Sequence, residues 1–567
     1  MPCYCLAFAC LAGIALKTAS RSHAARIGTL SGSHLSGERT TSGQTEPERS
    51  RQADSGVSSF TPGCDGAGNC YIASAASGRG DGSSWVNAYR GFGNARGEVI
   101  PSAMRRGATY WIAAGAYGGV RFSTPDRGAA AITIKGATAS SHGPATDWNA
   151  NFAGEAIFGK SIITTDYWIF KGQDRGSDWR SGYTLRFWNR NDPAGAAVVI
   201  GGNHDLTFDY VEIEGTGMTN GAFPNNATAD RCTVNGCGKW FDNGIYASGA
   251  VSRLYVGHSY VHHTGNTQFQ MNAAVSDHAV WEYNWVSYNH TGQNGGHDEA
   301  YSLYASNVII RYNVFQDIAG SGVITTAGAG QPPLKNWTIY GNIFFWDPAY
   351  AAFNGKYYLA ICDNGIVDFL GESMSGSVSF TNNTIAGMYN PEMDVQGAAA
   401  STMAISGNNS RSGGSICGSG SCPAVTIENN LWYGDGYVYG DSAPYCQVVS
   451  KASCIQDYNA SYRQHVPSGS NWKTGDPPGP HDYNVSSATV PFVDAGRSTI
   501  DGFELVNPDP FRSHPGIPLI SLYNIDMRGM RFGADGVWDR GALQFPEPAP
   551  SSQRMHRAMK KQSPAHP

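Results

Sequence analysis

The segments VWEYNWVSY (280–288), IIRYNVFQD (309–317) and TIYGNIFFW (338–346) share one layout: a short strand, a bend at Asn284, Asn313 or Asn342, and a second strand. These Asn positions are 29 residues apart, twice. SFTNNTIAG at Asn383 and TIENNLWYG at Asn430 continue the series with gaps of 41 and 47 residues. Upstream, LYVGHSYVH centres on Ser259, 25 residues before Asn284, and LTFDYVEIE centres on Asp209, a further 50 back, which reads as two coils. A coil of ~25 residues holds three short strands and three turns, and coils stack at ~4.8 Å. Asn suits the bend because it tolerates left-handed backbone angles and can hydrogen-bond to the same Asn one coil away. Propeller blades of ~40 residues fit the shorter spacing poorly. The expected fold is all-β: a parallel β-solenoid, one elongated domain with irregular loops.

Composition agrees. Of 567 residues, 71 are Gly, 12% are aromatic and only 15% are charged, which suits short strands and turns and excludes a coiled coil. A net charge of -6 argues against nucleic acid as partner. No apolar run after the N-terminus reaches the ~18 residues of a membrane span. Residues 1–24, with the apolar run CLAFACLAGIAL, read as a signal peptide for a secreted or periplasmic protein. Residues 25–60 read as a disordered linker, 61–545 as the folded domain and 546–567 as a basic tail. The close pairs Cys64/Cys70, Cys232/Cys237, Cys417/Cys422 and Cys446/Cys454 read as loop staples, with Cys362 left as a buried thiol.

The repeat resembles the right-handed parallel β-helix, or pectin-lyase-like, superfamily. YIASAASGRGDGSSWVNAYRGF (71–92), RGATYWIAAGAYGGV (106–120) and the ending GADGVWDRGALQF (533–545) are similar to its terminal regions. The resemblance implies a right-handed β-helix, probed by a polysaccharide along an outer groove and acting as a monomer. The superfamily hosts lyases, hydrolases, epimerases and adhesins, so the reaction has to come from the site.

The richest stretch for chemistry is NHTGQNGGHDEAYSLYASN (289–307), with His297, Asp298 and Glu299 before a strand. His263 and His290 both open an HTG triplet, 27 residues apart, and would stack one coil apart. Asp242 lies 17 residues before Ser259, while Asp298 and Glu299 lie 15 and 14 before Asn313. These acids would share one edge two coils apart, ~9.6 Å, near the ~6.5–9.5 Å of an inverting glycosidase. Lys239, Trp240, Tyr246, His263, His290 and Arg311 are candidate substrate-binding groups, the rings for stacking on sugars and Arg311 as a carboxylate clamp. Asp209, Glu212 and Glu214 read as a solvated edge rather than a calcium site.

EAYSLYASNVIIRYNVF (299–315) is similar to the first-strand motif of the alginate-lyase/chondroitinase-B family. That resemblance implies a uronate-polysaccharide lyase with Ca2+ at Glu299. The family's catalytic Lys falls at Tyr304, and its Arg and following His fall near Thr325 and Thr326. Elimination here would therefore use His297, Tyr301 or Tyr304 as base or acid. An inverting hydrolase using Asp242 with Asp298 or Glu299, and a non-catalytic carbohydrate-binding or adhesive β-helix, are the competing expectations.

Overall fold

One coil shows the whole plan. Tyr260–Thr264 forms one strand, and Phe269–Glu282 then runs through a corner so that its two halves lie on two different faces. Trp285–Asn289 closes the turn directly above Tyr260–Thr264, in parallel register. Repetition of this path gives three faces. The halves of Phe269–Glu282 and Tyr301–Arg311 join the first and second faces into one 19-stranded sheet, and the third face is a separate 12-stranded sheet. Apart from the short Tyr389–Asn390/Val395–Gln396 pair, every ladder between the described strands is parallel. The fold is a right-handed parallel β-helix.

The computed structural model describes residues 63–545 except 193–194, 217–241, 290–298, 319–322, 327–333, 347–365, 370–373, 387–388, 391–394, 397–402, 406–423, 434–453, 464–478, 487–490, 495 and 520–523. All described residues belong to one compact unit, Phe60–Pro567. Cys64 and Cys70 form a disulfide. The staples expected at Cys232/Cys237, Cys417/Cys422 and Cys446/Cys454, and the thiol of Cys362, fall wholly or partly outside the described residues.

Two columns hold the coils together. Inside, side chains stack in register: Phe170, Phe208, Val256, Trp281, Ile310, Ile339, Phe380 and Ile427 succeed one another, all buried. At the bend between the second and third faces runs the Asn column. The backbone N–H and Nδ2 of Asn284 both donate to Oδ1 of Asn313, at 3.0 and 2.9 Å. The same pair of bonds links Asn313 to Asn342, Asn342 to Asn383, Asn383 to Asn430 and Asn430 to Asn459. Asp482, which can only accept, ends the column by taking the N–H of Asn459.

Two details differ from the sequence reading. The left-handed residue is the one before each Asn, such as Tyr283 (φ 56°) or Tyr312 (φ 57°), so the Asn is there for its amide. The bend of LTFDYVEIE is Val211, not Asp209: Val211 N–H donates to Ser259 Oγ, and Glu212 pairs with Tyr260. Only one coil separates them, because Leu206 pairs directly with Leu254, 48 residues on.

The outer side of the third face changes character along its length. From Trp285 through Val314 and Ile343 it is apolar and packed by Phe503, Phe511 and Trp538 of the C-terminal segment. The preceding coils carry Arg186, Glu212, Glu214 and His262 instead.

Candidate functional site

The first face presents Val199, Tyr246, Gln270, Ser302 and Thr325 outward, one per coil. Tyr246 is half-buried there, in the outward position its sequence role requires. Alternation sends the neighbouring residues Ile245, Phe269, Tyr301 and Ile324 inward. Tyr301 is fully buried, with ring centroids 4.9 Å from Phe269 and 5.1 Å from Phe315. Its hydroxyl has no hydrogen-bond partner among the described residues, and burial holds its pKa far above the usual phenol value. The acid or base role expected for Tyr301 is therefore corrected to a core role. Tyr301→Phe should leave activity unchanged and stability equal or higher, because it removes an unsatisfied buried hydroxyl. Calorimetry and an activity assay check this; lost activity with an intact fold would restore the catalytic reading. Tyr304 is likewise buried in the core, at the irregularity where Met271 pairs Leu303 and Ser276 pairs Ala305.

Asp242 sits at the corner between the third and first faces, fully buried. It accepts from the backbone of Thr216 (2.6 Å) and Gly265 (2.9 Å) and from Asn189 Nδ2 (3.2 Å). Burial pushes its carboxyl up to about 6 against the pull of those amides. With its oxygens engaged by three coils, Asp242 is a clasp, and its expected role as a glycosidase carboxylate is corrected. Glu299 is buried, and continuing the Ile245–Phe269–Tyr301 register places it two coils above Asn243, as the spacing predicted. The acid expected beside it, Asp298, lies outside the described residues with Lys239, Trp240, His290 and His297. Among the described residues Glu299 joins no cluster of three His, Cys, Asp or Glu side chains, and the acid beside it, Asp298, lies outside them.

Two further expectations change. His263 stands opposite Tyr288, with ring centroids 5.0 Å apart, because Thr264 pairs with Asn289. The residue 25 positions after His263 is thus Tyr288, and His290, the neighbour expected there, lies outside the described residues. Arg311 lies on the second face, where Nε and a terminal nitrogen each reach Glu282 Oε2 at 2.6 Å. It is an ion-pair rung rather than a carboxylate clamp.

The densest chemistry among the described residues is on the third face. Arg186 lies among Glu155 (3.6 Å), Glu212 (3.3 Å) and Glu214, with which it forms an ion pair. His262 Nε2 is 3.1 Å from Glu212 Oε1, and its Nδ1 is hydrogen-bonded to Nδ1 of His263. Burial, together with the charge of Glu212, raises Glu155 to about 7 despite Arg186. Burial also raises Glu212 and lowers both imidazoles well below their usual value, with Arg186 adding to the second effect. The cluster is thus proton-rich on its carboxyl side and neutral on its imidazole side. Glu212, Glu214 and His262 offer atoms within 4.8 Å of one another, but the cation among them is Arg186 itself. The solvated edge expected at Glu212 and Glu214 is corrected accordingly, while Asp209 pairs with Lys171 and His258.

Beside the cluster opens a cavity of about 390 Å³ lined by Ile157, Lys160, Trp188, Asn189, Arg190 and Asp192 among others. Trp188 pairs in register with Glu214, one coil away. The guanidinium carbons of Arg190 and Arg186 lie 3.8 and 4.5 Å from the Trp188 ring centroid. Arg190 is exposed and makes no ion pair among the described residues, whereas Lys160 pairs with Asp192 at 2.6 Å. Sequence reasoning missed Glu155, Arg186, Trp188, Arg190 and His262. Reading the outward positions of the third strand in columns from the correct bend would have exposed them.

No family model and no curated protein matches the chain. Among solved structures it is similar to pectate lyase Pel9A at 12% identity and TM-score 0.42, over 84% of this chain and 96% of that one. It is also similar to the PL6 family polysaccharide lyase Pedsa3628 from Pseudopedobacter saltans (10%, TM-score 0.33, 79% and 94%). A third is an alginate lyase from Paenibacillus sp. str. FPU-7 (11%, TM-score 0.31, 67% and 93%).

Proposed function

We propose that the chain is an exported enzyme that cleaves an acidic, uronate-containing polysaccharide by β-elimination. The observation that carries this is the Trp188 cavity, aromatic and cationic, opening on the same face as the proton-carrying Glu155–Glu212–His262–His263 cluster. Elimination needs a cation on the uronate carboxylate and a group that takes the C5 proton. Arg190 supplies the first and the imidazole side of the cluster the second. Trp188 offers a ring face for a sugar, framed by guanidinium groups. Glu155 and Glu212 are hydrogen-bonded to each other, closer than the ~5–9.5 Å separations of glycosidase carboxyls, which disfavours hydrolysis in this cluster.

Arg190→Ala should raise KM for an acidic polysaccharide about tenfold with little change in kcat, a loss of ~1.4 kcal/mol of binding. A carboxyl-reduced form of the same polymer should be a poor substrate for the native protein and indifferent to the substitution. Equal cleavage of both polymers would sink the proposal.

A further inference from the structure

We infer that Glu212, His262 and His263 form a proton relay in which Nε2 of His263 is the base of the reaction proposed above and the Glu155–Glu212 carboxyl pair is where the proton comes to rest. Geometry makes the relay. His263 has a left-handed backbone (φ 54°), as does Tyr288 opposite it (φ 55°). That conformation breaks strand alternation, so His262 and His263, adjacent in sequence, bring their rings together on the outer side. Tyr260 stacks on His262 at 3.9 Å, and Tyr288 lies 5.0 Å from His263, which fixes both rings. Among the described residues, the charged and titratable groups facing the chain of bonds are Arg186, Glu155, Glu214, Tyr183, Tyr260 and Tyr288.

The bond between the two Nδ1 atoms has room for one proton. With both rings neutral, the tautomers are therefore linked. When Glu212 is ionised, His262 donates Nε2–H to it, His262 Nδ1 accepts from His263, and His263 Nε2 is left with a lone pair. If that lone pair takes the C5 proton, His263 Nδ1–H passes to His262 Nδ1 and His262 Nε2–H passes to Glu212. Both rings end neutral, in exchanged tautomers. The electron pair of the broken C–H bond becomes the new C=C bond as the leaving oxygen departs, and that oxygen takes a proton from solvent. Arg186 limits how far Glu212 can hold the proton, and Glu155 shares it.

The inference rests on the proposed reaction only for the substrate; the relay can be read without one. The full chain labelled with 15N-histidine is titrated by long-range 1H–15N spectroscopy. As the pH falls through the titration of the carboxyl pair, His262 and His263 should exchange tautomers together while both remain neutral, and Glu212→Gln should abolish the exchange. Should that variant fail to fold, His263→Gln serves: kcat should fall by about 10²-fold or more at unchanged KM, and His262 should lose its pH-dependent tautomer change. Fixed tautomers, or rings that become cationic over this range, would overturn the relay whatever the reaction. Exchange without elimination on any acidic polysaccharide would overturn His263 as the base and the proposed function with it.

Discussion

Asn313→Ala is expected to cost about 3–5 kcal/mol of folding stability. The side chain accepts two bonds from Asn284 and donates to Trp281 O (3.0 Å) and to Asn342 Oδ1 (3.0 Å), all buried. Truncation strips the Asn284 N–H of its acceptor, at ~1–3 kcal/mol, takes one donor from the Trp281 carbonyl, and opens a gap in a close-packed bend. Asn313→Asp should be no better, because its second oxygen would face the carbonyl oxygens that Nδ2 now serves. Equilibrium denaturation in urea measures both. A loss below ~1 kcal/mol for Asn313→Ala would mean that the Asn column is incidental to the stacking of coils.

Arg186→Ala is expected to cost a further, pH-dependent ~3–5 kcal/mol near neutral pH, the range for a buried charge stripped of its partner. The substitution leaves Glu155, Glu212 and Glu214 facing one another without their cation. Glu155 and Glu212 already stand above their unfolded pKa values, and removal of Arg186 raises them further. Carboxyls of that kind contribute stability below the unfolded pKa and lose it as the pH rises through the folded one. The deficit should therefore be large at pH 8 and small at pH 5. Arg186→Lys should recover part of it, keeping the charge but not the fork that reaches three acids. A deficit independent of pH would mean that Arg186 acts only by packing against Trp188.

The architecture was legible because a β-helix repeats its physics at every coil. The Asn284–Asn313–Asn342 spacing reports the coil length directly, and apolar residues on both sides of each bend report the interior. The site was legible only in part. The spacing put Glu299 two coils above the Asp242 edge, a consequence of register, but alternation alone could not say which of Tyr246, Phe269, Tyr301 and Tyr304 face outward. The sequence could not foresee that Asp242 is saturated by the amides of Thr216 and Gly265, because those donors come from other coils. Taking Asp209 rather than Val211 as a bend shifted the frame by two residues and counted one coil of 48 residues as two. That slip hid two neighbouring columns, one in which Arg186 meets Glu212 and one in which Glu214 meets His262. The left-handed turn at His263 was equally missed, although His is among the residues enriched at positive φ and His258 and His278 share that conformation here.

The most direct test of the central claim is to incubate the protein with a panel of purified acidic polysaccharides and follow reducing ends and the ultraviolet absorbance of unsaturated uronate in the same samples. Both should rise together on at least one polymer, one unsaturated end for each new reducing end. New reducing ends without unsaturation would contradict it and establish hydrolysis, and binding with neither signal would leave a carbohydrate-binding β-helix.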